Sequence, residues 1–86
     1  MDKTGETLKK ETEKWLSKLE KGRSRVHILK ESKELKAVLK NLDAYISDTR
    51  HFLQKGDFIR AFEAIIYGWG ILECLESMHL IEIRRN

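Results

Sequence analysis

The side chains of this 86-residue sequence best suited to chemistry are three histidines, one cysteine and a scatter of carboxylates. Asp48 and His51 stand at i, i+3, half of the carboxylate-x-x-His pair that binds metals in helical bundles. Glu73 and Glu76 resemble a second half. In an antiparallel hairpin centred on Gly56, however, a residue k before the turn faces one about k after it. Asp48 then lies near Ala64, while the two glutamates lie near Leu39 and Lys36. About nine residues of helix, on the order of 13 Å, separate the half-sites, so no metal ligands are assigned. Cys74 has no neighbouring base in sequence to lower its pKa and reads as a small packing residue. Gly68-Trp69-Gly70 falls inside a helical pattern instead of following a strand, so it is no phosphate loop. No histidine has an arginine five to seven positions before it, the spacing of certain small helical ribonucleases. No set of acid, base and oxyanion donor can be assembled, and the chain reads as a non-enzyme without a cofactor.

Two features point to binding. Lys10, Lys14, Lys18 and Lys21 fall on one side of a helix, and Arg23, Arg25 and Lys30 follow. Like charges at i, i+4 destabilise a helix by about 0.2–0.5 kcal/mol per pair, so helix stability alone would not select this row. It suits nucleic acid phosphates or an acidic protein. Against that, Glu6, Glu13 and Glu20 run down an adjoining face, and no aromatic residue is read as interleaved with the lysines. The second feature is a surplus of apolar residues after Gly56. Ile59, Ile66 and Ile71 exceed what two neighbouring helices require, and Gly70 leaves an opening beside them. These four residues are the candidate interface, for a second copy or another protein. The alternative is that the first helix and Val26, Ile28 and Leu29 cover the same surface within one chain.

Three amphipathic segments at helical spacing carry these residues: about 4–21, 32–54 and 58–79. The first places Leu8, Trp15, Leu16 and Leu19 on a narrow face, and Gly22 is its expected stop. Val26, Ile28 and Leu29 are expected to anchor an aperiodic connection. Ser32 is the expected N-cap of the second segment, whose apolar face runs from Leu35 to Leu53. Lys55-Gly56-Asp57 then joins a glycine stop to an aspartate cap, the pattern of a tight turn between antiparallel helices. In the third segment, Gly68 on the core face is expected to let the first helix approach, with Trp15 seated there. One domain spanning 1–86 follows from the length. The longest uncharged run, residues 64–72, is far short of a membrane span. A single cysteine and no apolar leader fit a cytoplasmic setting. Residues 1–36 hold 11 basic and 7 acidic side chains, so the net charge of +3 resides in the N-terminal third.

Tyr45, Asp48, Phe52-Leu53, Lys55-Gly56-Asp57, Ala61, Ala64, Tyr67, Gly70 and Leu72-Glu73 together resemble a small archaeal family, domain of unknown function 357. The resemblance implies an all-α, three-helix up-and-down bundle. It implies no activity and no site residues, because the family is uncharacterised. The expected function is therefore a non-catalytic interaction or self-association module, with nucleic-acid binding through the basic third as the alternative.

Overall fold

The computed structural model describes residues 3–84, so positions 1, 2, 85 and 86 of the expected domain lie outside the described residues. Three helices, α1 (Lys3–Ser24), α2 (Lys33–Lys55) and α3 (Phe58–Ser77), are accompanied by two short strands, β1 (Val26–Ile28) between α1 and α2 and β2 (Ile81–Ile83) after α3. The expected three-helix bundle is present, with a two-stranded antiparallel sheet added at one end.

The α2–α3 turn follows from Lys55-Gly56-Asp57. Gly56 is left-handed, φ 77°, and the peptide N–H of Asp57 reaches back to the Phe52 carbonyl at 2.9 Å. These are the 6→1 bond and positive φ of a Schellman stop. The Asp57 carboxylate then accepts from the Arg60 N–H at 3.1 Å, capping α3. Gly56→Ala would force a Cβ into a left-handed backbone, so it should destabilise the domain by about 1 kcal/mol or more, read as a lower urea midpoint with unchanged m. At the start of α2, Ser32 Oγ accepts from the Leu35 N–H at 3.0 Å, as its position suggests.

Two expected boundaries move. Gly22 does not end α1, which continues to Ser24, where Ser24 Oγ donates to the Lys21 carbonyl. A Cβ at Gly22 would stand 3.2 Å from Leu72 Cδ2, so this glycine serves close approach to α3 instead. At the other end, α3 stops at Ser77 because His79 adopts φ 59° and the Leu80 N–H bonds the Leu75 carbonyl. A histidine performs the left-handed turn that glycine performs after α2.

The core is one cluster dominated by Leu19, Leu42, Ile65, Leu72 and Ile81, each at most 2% exposed. Lys9 over Phe58 and Trp15 against Trp69 pair rising numbers with rising numbers, so α1 and α3 run parallel. Glu20 with Arg50 and Arg23 with Asp43 pair rising with falling numbers, so α2 runs the other way. Both α1 and α2 pack chiefly on α3, which is why α3 is the most apolar helix. Two buried threonines, Thr12 and Thr49, satisfy their hydroxyls on the carbonyls four residues earlier, Leu8 and Tyr45.

The segment read as an aperiodic anchor is in part a strand. Val26 pairs with Ile83, His27 with Glu82 and Ile28 with Ile81. Val26, Ile28 and Ile83 lie half-buried on the core, whereas Leu29, expected to tuck under with them, is 51% exposed.

Candidate functional site

On α3, Ile59, Ile66 and Tyr67 are 69%, 52% and 62% exposed, large apolar side chains on a solvent-facing strip that also carries the exposed Glu63. Gly70 follows on that strip, and a Cβ there would meet nothing within 4 Å. The spacing 59, 66, 70 keeps these residues within about 40° of one another at 100° per residue. Ile71 does not join them. It is half-buried and lines a separate groove with Val38 and Leu75 at the α2–α3 seam. Neither α1 nor residues 26–29 cover Ile66, since β1 and β2 close the far end of the bundle.

Beside the strip runs a shallow groove between α1 and α3, lined by Trp15, Phe62, Ile66, Trp69 and Gly70. Its walls are fixed by the tryptophans. Their rings meet edge to face, 5.7 Å apart at 89°, and the Trp69 indole N–H donates to the Trp15 carbonyl at 3.0 Å. Such a pair contributes about 0.5–1.5 kcal/mol beyond area burial, so the groove belongs to the rigid seam. Gly68 does not seat Trp15. A Cβ at Gly68 would lie 2.8 Å from Leu19 Cδ2, so the space it leaves belongs to Leu19. On the α2 side of the strip, Tyr67 stacks on Tyr45 with centroids 5.7 Å apart.

The basic residues divide. Lys10, Lys14, Lys18 and Lys21 are exposed along α1, and Arg25 and Lys30 are exposed beyond it. Arg23 leaves the group: its guanidinium clamps Asp43 through two bonds, 2.8 and 3.2 Å, and ties α1 to α2. Arg50 pairs with Glu20 across the same seam. An aromatic is interleaved after all. The Lys18 and Lys14 ammonium groups lie 4.7 and 5.8 Å from the Trp15 ring centroid. Trp15 was assigned to the core face, and its 38% exposure shows that this face reaches the surface.

The groups first weighed for chemistry remain dispersed. Asp48, His51 and Glu73 are exposed on their helices. Among the described residues, no three His, Cys, Asp or Glu side chains converge on a point that could hold a metal ion. Cys74 Sγ contacts Met78 Sδ at 3.8 Å on the surface of α3. The Lys36 ammonium hydrogen-bonds the exposed Glu31 carboxyl and holds it below its usual range, while Glu31 raises Lys36. This pair lies at the start of α2, away from the groove between α1 and α3.

The family model for a protein of unknown function, DUF357, matches residues 10–81. The chain belongs to this family. Its structure is similar to the crystal structure of protein AF1782 from Archaeoglobus fulgidus, of the same family, with 36% identity and a TM-score of 0.80. That match covers 94% of this chain and 99% of the archaeal one. No curated protein matches the chain. Among the described residues, no helix is long and apolar enough to cross a membrane.

Proposed function

We propose that this DUF357 protein is a non-catalytic interaction module that associates with a second copy of itself through the outer strip of α3. The carrying observation is the exposure of Ile59 and Ile66 beside the empty space at Gly70. Projecting side chains and an opening on one helix are the ingredients of a self-complementary patch, because a twofold axis sets the projections of each copy over the opening of the other. The candidate interface is therefore Ile59, Ile66 and Gly70 with Tyr67 at its edge, and Ile71 contributes only through the neighbouring groove. A stable association of this kind buries at least about 1,000 Å² in total. A cytoplasmic setting belongs to the same proposal. Sedimentation velocity from micromolar to near-millimolar concentration tests it. A rise in sedimentation coefficient with concentration is expected, and a monomer throughout overturns the reading.

One observation favours a second reading, nucleic-acid binding through α1. Lys14 and Lys18 flank a surface tryptophan, and Lys10, Lys21 and Arg25 are exposed nearby. Single strands bind by pairing phosphates with cations and stacking bases on aromatic rings. Binding of a fluorescent oligouridine should then weaken steeply with salt and fall further in Trp15→Ala. Salt-independent binding, or none at 50 mM salt, excludes it.

A further inference from the structure

His27 lies opposite Glu82, and the flanking bonds run from the Leu29 N–H to the Leu80 carbonyl, 2.9 Å, and from the Arg84 N–H to the Arg25 carbonyl, 3.1 Å. In an antiparallel ladder, hydrogen-bonded and non-bonded pairs alternate. Arg25, His27 and Leu29 therefore direct peptide groups toward β2, whereas Val26 and Ile28 direct their N–H and C=O groups away from it. Among the described residues the sheet ends at these two strands. It is β2 that packs on α3, and its Ile83 lines a cleft between the ends of α1 and α3. Each strand of the pair has an outer edge, and β2, with Ile81 2% exposed, is the more buried of the two, so the more accessible edge is that of β1. An unpaired strand edge is a template for another strand.

We propose that the outer edge of β1 receives an extended acidic segment of a partner protein by strand addition. Charge decides the occupant. Val26 and Ile28 turn to the core, so Arg25, His27 and Leu29 present the exposed face of the strand, and Lys30 follows. On the outer side His27 occupies a non-hydrogen-bonded position, where facing residues come closest, about 4.5 Å between Cα atoms. A carboxylate opposite His27 and another opposite Arg25 suit that spacing, with an apolar residue between them on the core side. The chain's own β2 follows this rule at one position, setting Glu82 opposite His27 between Ile81 and Ile83, while Arg84 stands opposite Arg25. A second copy fits poorly. Pairing β1 with β1 about a twofold axis sets His27 against His27 and gathers Arg25 and Lys30 of both chains on one small sheet.

The test is a titration of the ¹⁵N-labelled full chain with the capped hexapeptide Thr-Val-Glu-Ile-Glu-Thr. The amide signals of Val26 and Ile28 should shift and their hydrogen exchange should slow. Opposite charges facing each other across strands attract and like charges repel, so replacing both glutamates by lysine should weaken binding about fivefold. Arg25→Glu with His27→Glu, both on the exposed face, should reverse that preference, and N-methylation of the central isoleucine should abolish binding. Unmoved Val26 and Ile28 signals, or equal binding of the two peptides, overturns the proposal. The same signals moving with protein concentration alone would assign the edge to a second copy and also overturn it. Ile66→Glu should leave the titration unchanged, which keeps this edge separate from the α3 strip.

Discussion

Leu19→Ala should destabilise the domain by about 2–5 kcal/mol, a large share of the 5–10 kcal/mol or so that holds a domain of this size. Leu19 is fully buried at the α1–α3 seam, and its Cδ2 methyl occupies the space left by Gly68. Gly68→Ala alone should also be unfavourable. Alanine improves helix propensity by about 1 kcal/mol, but its Cβ would stand 2.8 Å from that methyl, and an enclosed leucine cannot swing toward solvent. Overpacking of this kind costs about 1–3 kcal/mol. Once Leu19 is truncated the clash disappears, and Gly68→Ala should become neutral or stabilising. The double mutant should therefore be about 1–3 kcal/mol more stable than the two single effects added together, measured by urea unfolding of all four proteins. Additivity within about 0.5 kcal/mol would mean that the seam relaxes freely around the pair.

The hairpin was legible because its determinants are local. A glycine with positive φ and an aspartate cap act within four residues, so Lys55-Gly56-Asp57 specifies the turn without reference to anything distant. Gly22 was misread for the opposite reason. A glycine that ends a helix and one that admits a neighbour look the same until Leu72 is placed beside it. His79 carries no local mark of a left-handed residue, so the end of α3 was set too late. The strands were invisible: each has three residues, and β1 meets a partner more than 50 positions away. The lysines of the basic row are exposed, yet two features of that surface depended on tertiary packing. Arg23 is withdrawn by Asp43 twenty residues on, and Leu19, not Trp15, fills the space at Gly68, while Trp15 stays 38% exposed. For the α3 strip, the apolar surplus was visible from projection alone. That Ile71 turns toward Val38 while Ile59 and Ile66 stay outside depends on where α2 crosses α3.

Ile66→Glu should dissociate the protein without unfolding it. Ile66 is 52% exposed in the single chain, so a glutamate there keeps its carboxylate in water, and substitutions at such positions usually change stability by no more than about 0.5 kcal/mol. Helix content by circular dichroism and the urea midpoint of the monomer should hold. In the associated state the same carboxylate would be buried against the partner's α3, and the exposed Glu63 one turn back along the strip adds a like charge beside it. An unpaired charge at the centre of an interface is opposed by several kcal/mol, enough to weaken association by about 100-fold or more. Sedimentation of the variant should then show a monomer at concentrations where the wild type is associated. Ser47→Glu, on the exposed side of α2, supplies the control: it adds the same charge away from the strip and should leave association unchanged. If Ile66→Glu unfolds the chain, the isoleucine is covered from within one chain and the proposed interface is wrong. If both variants associate like the wild type, the contact lies off α3 and the proposed interface is wrong.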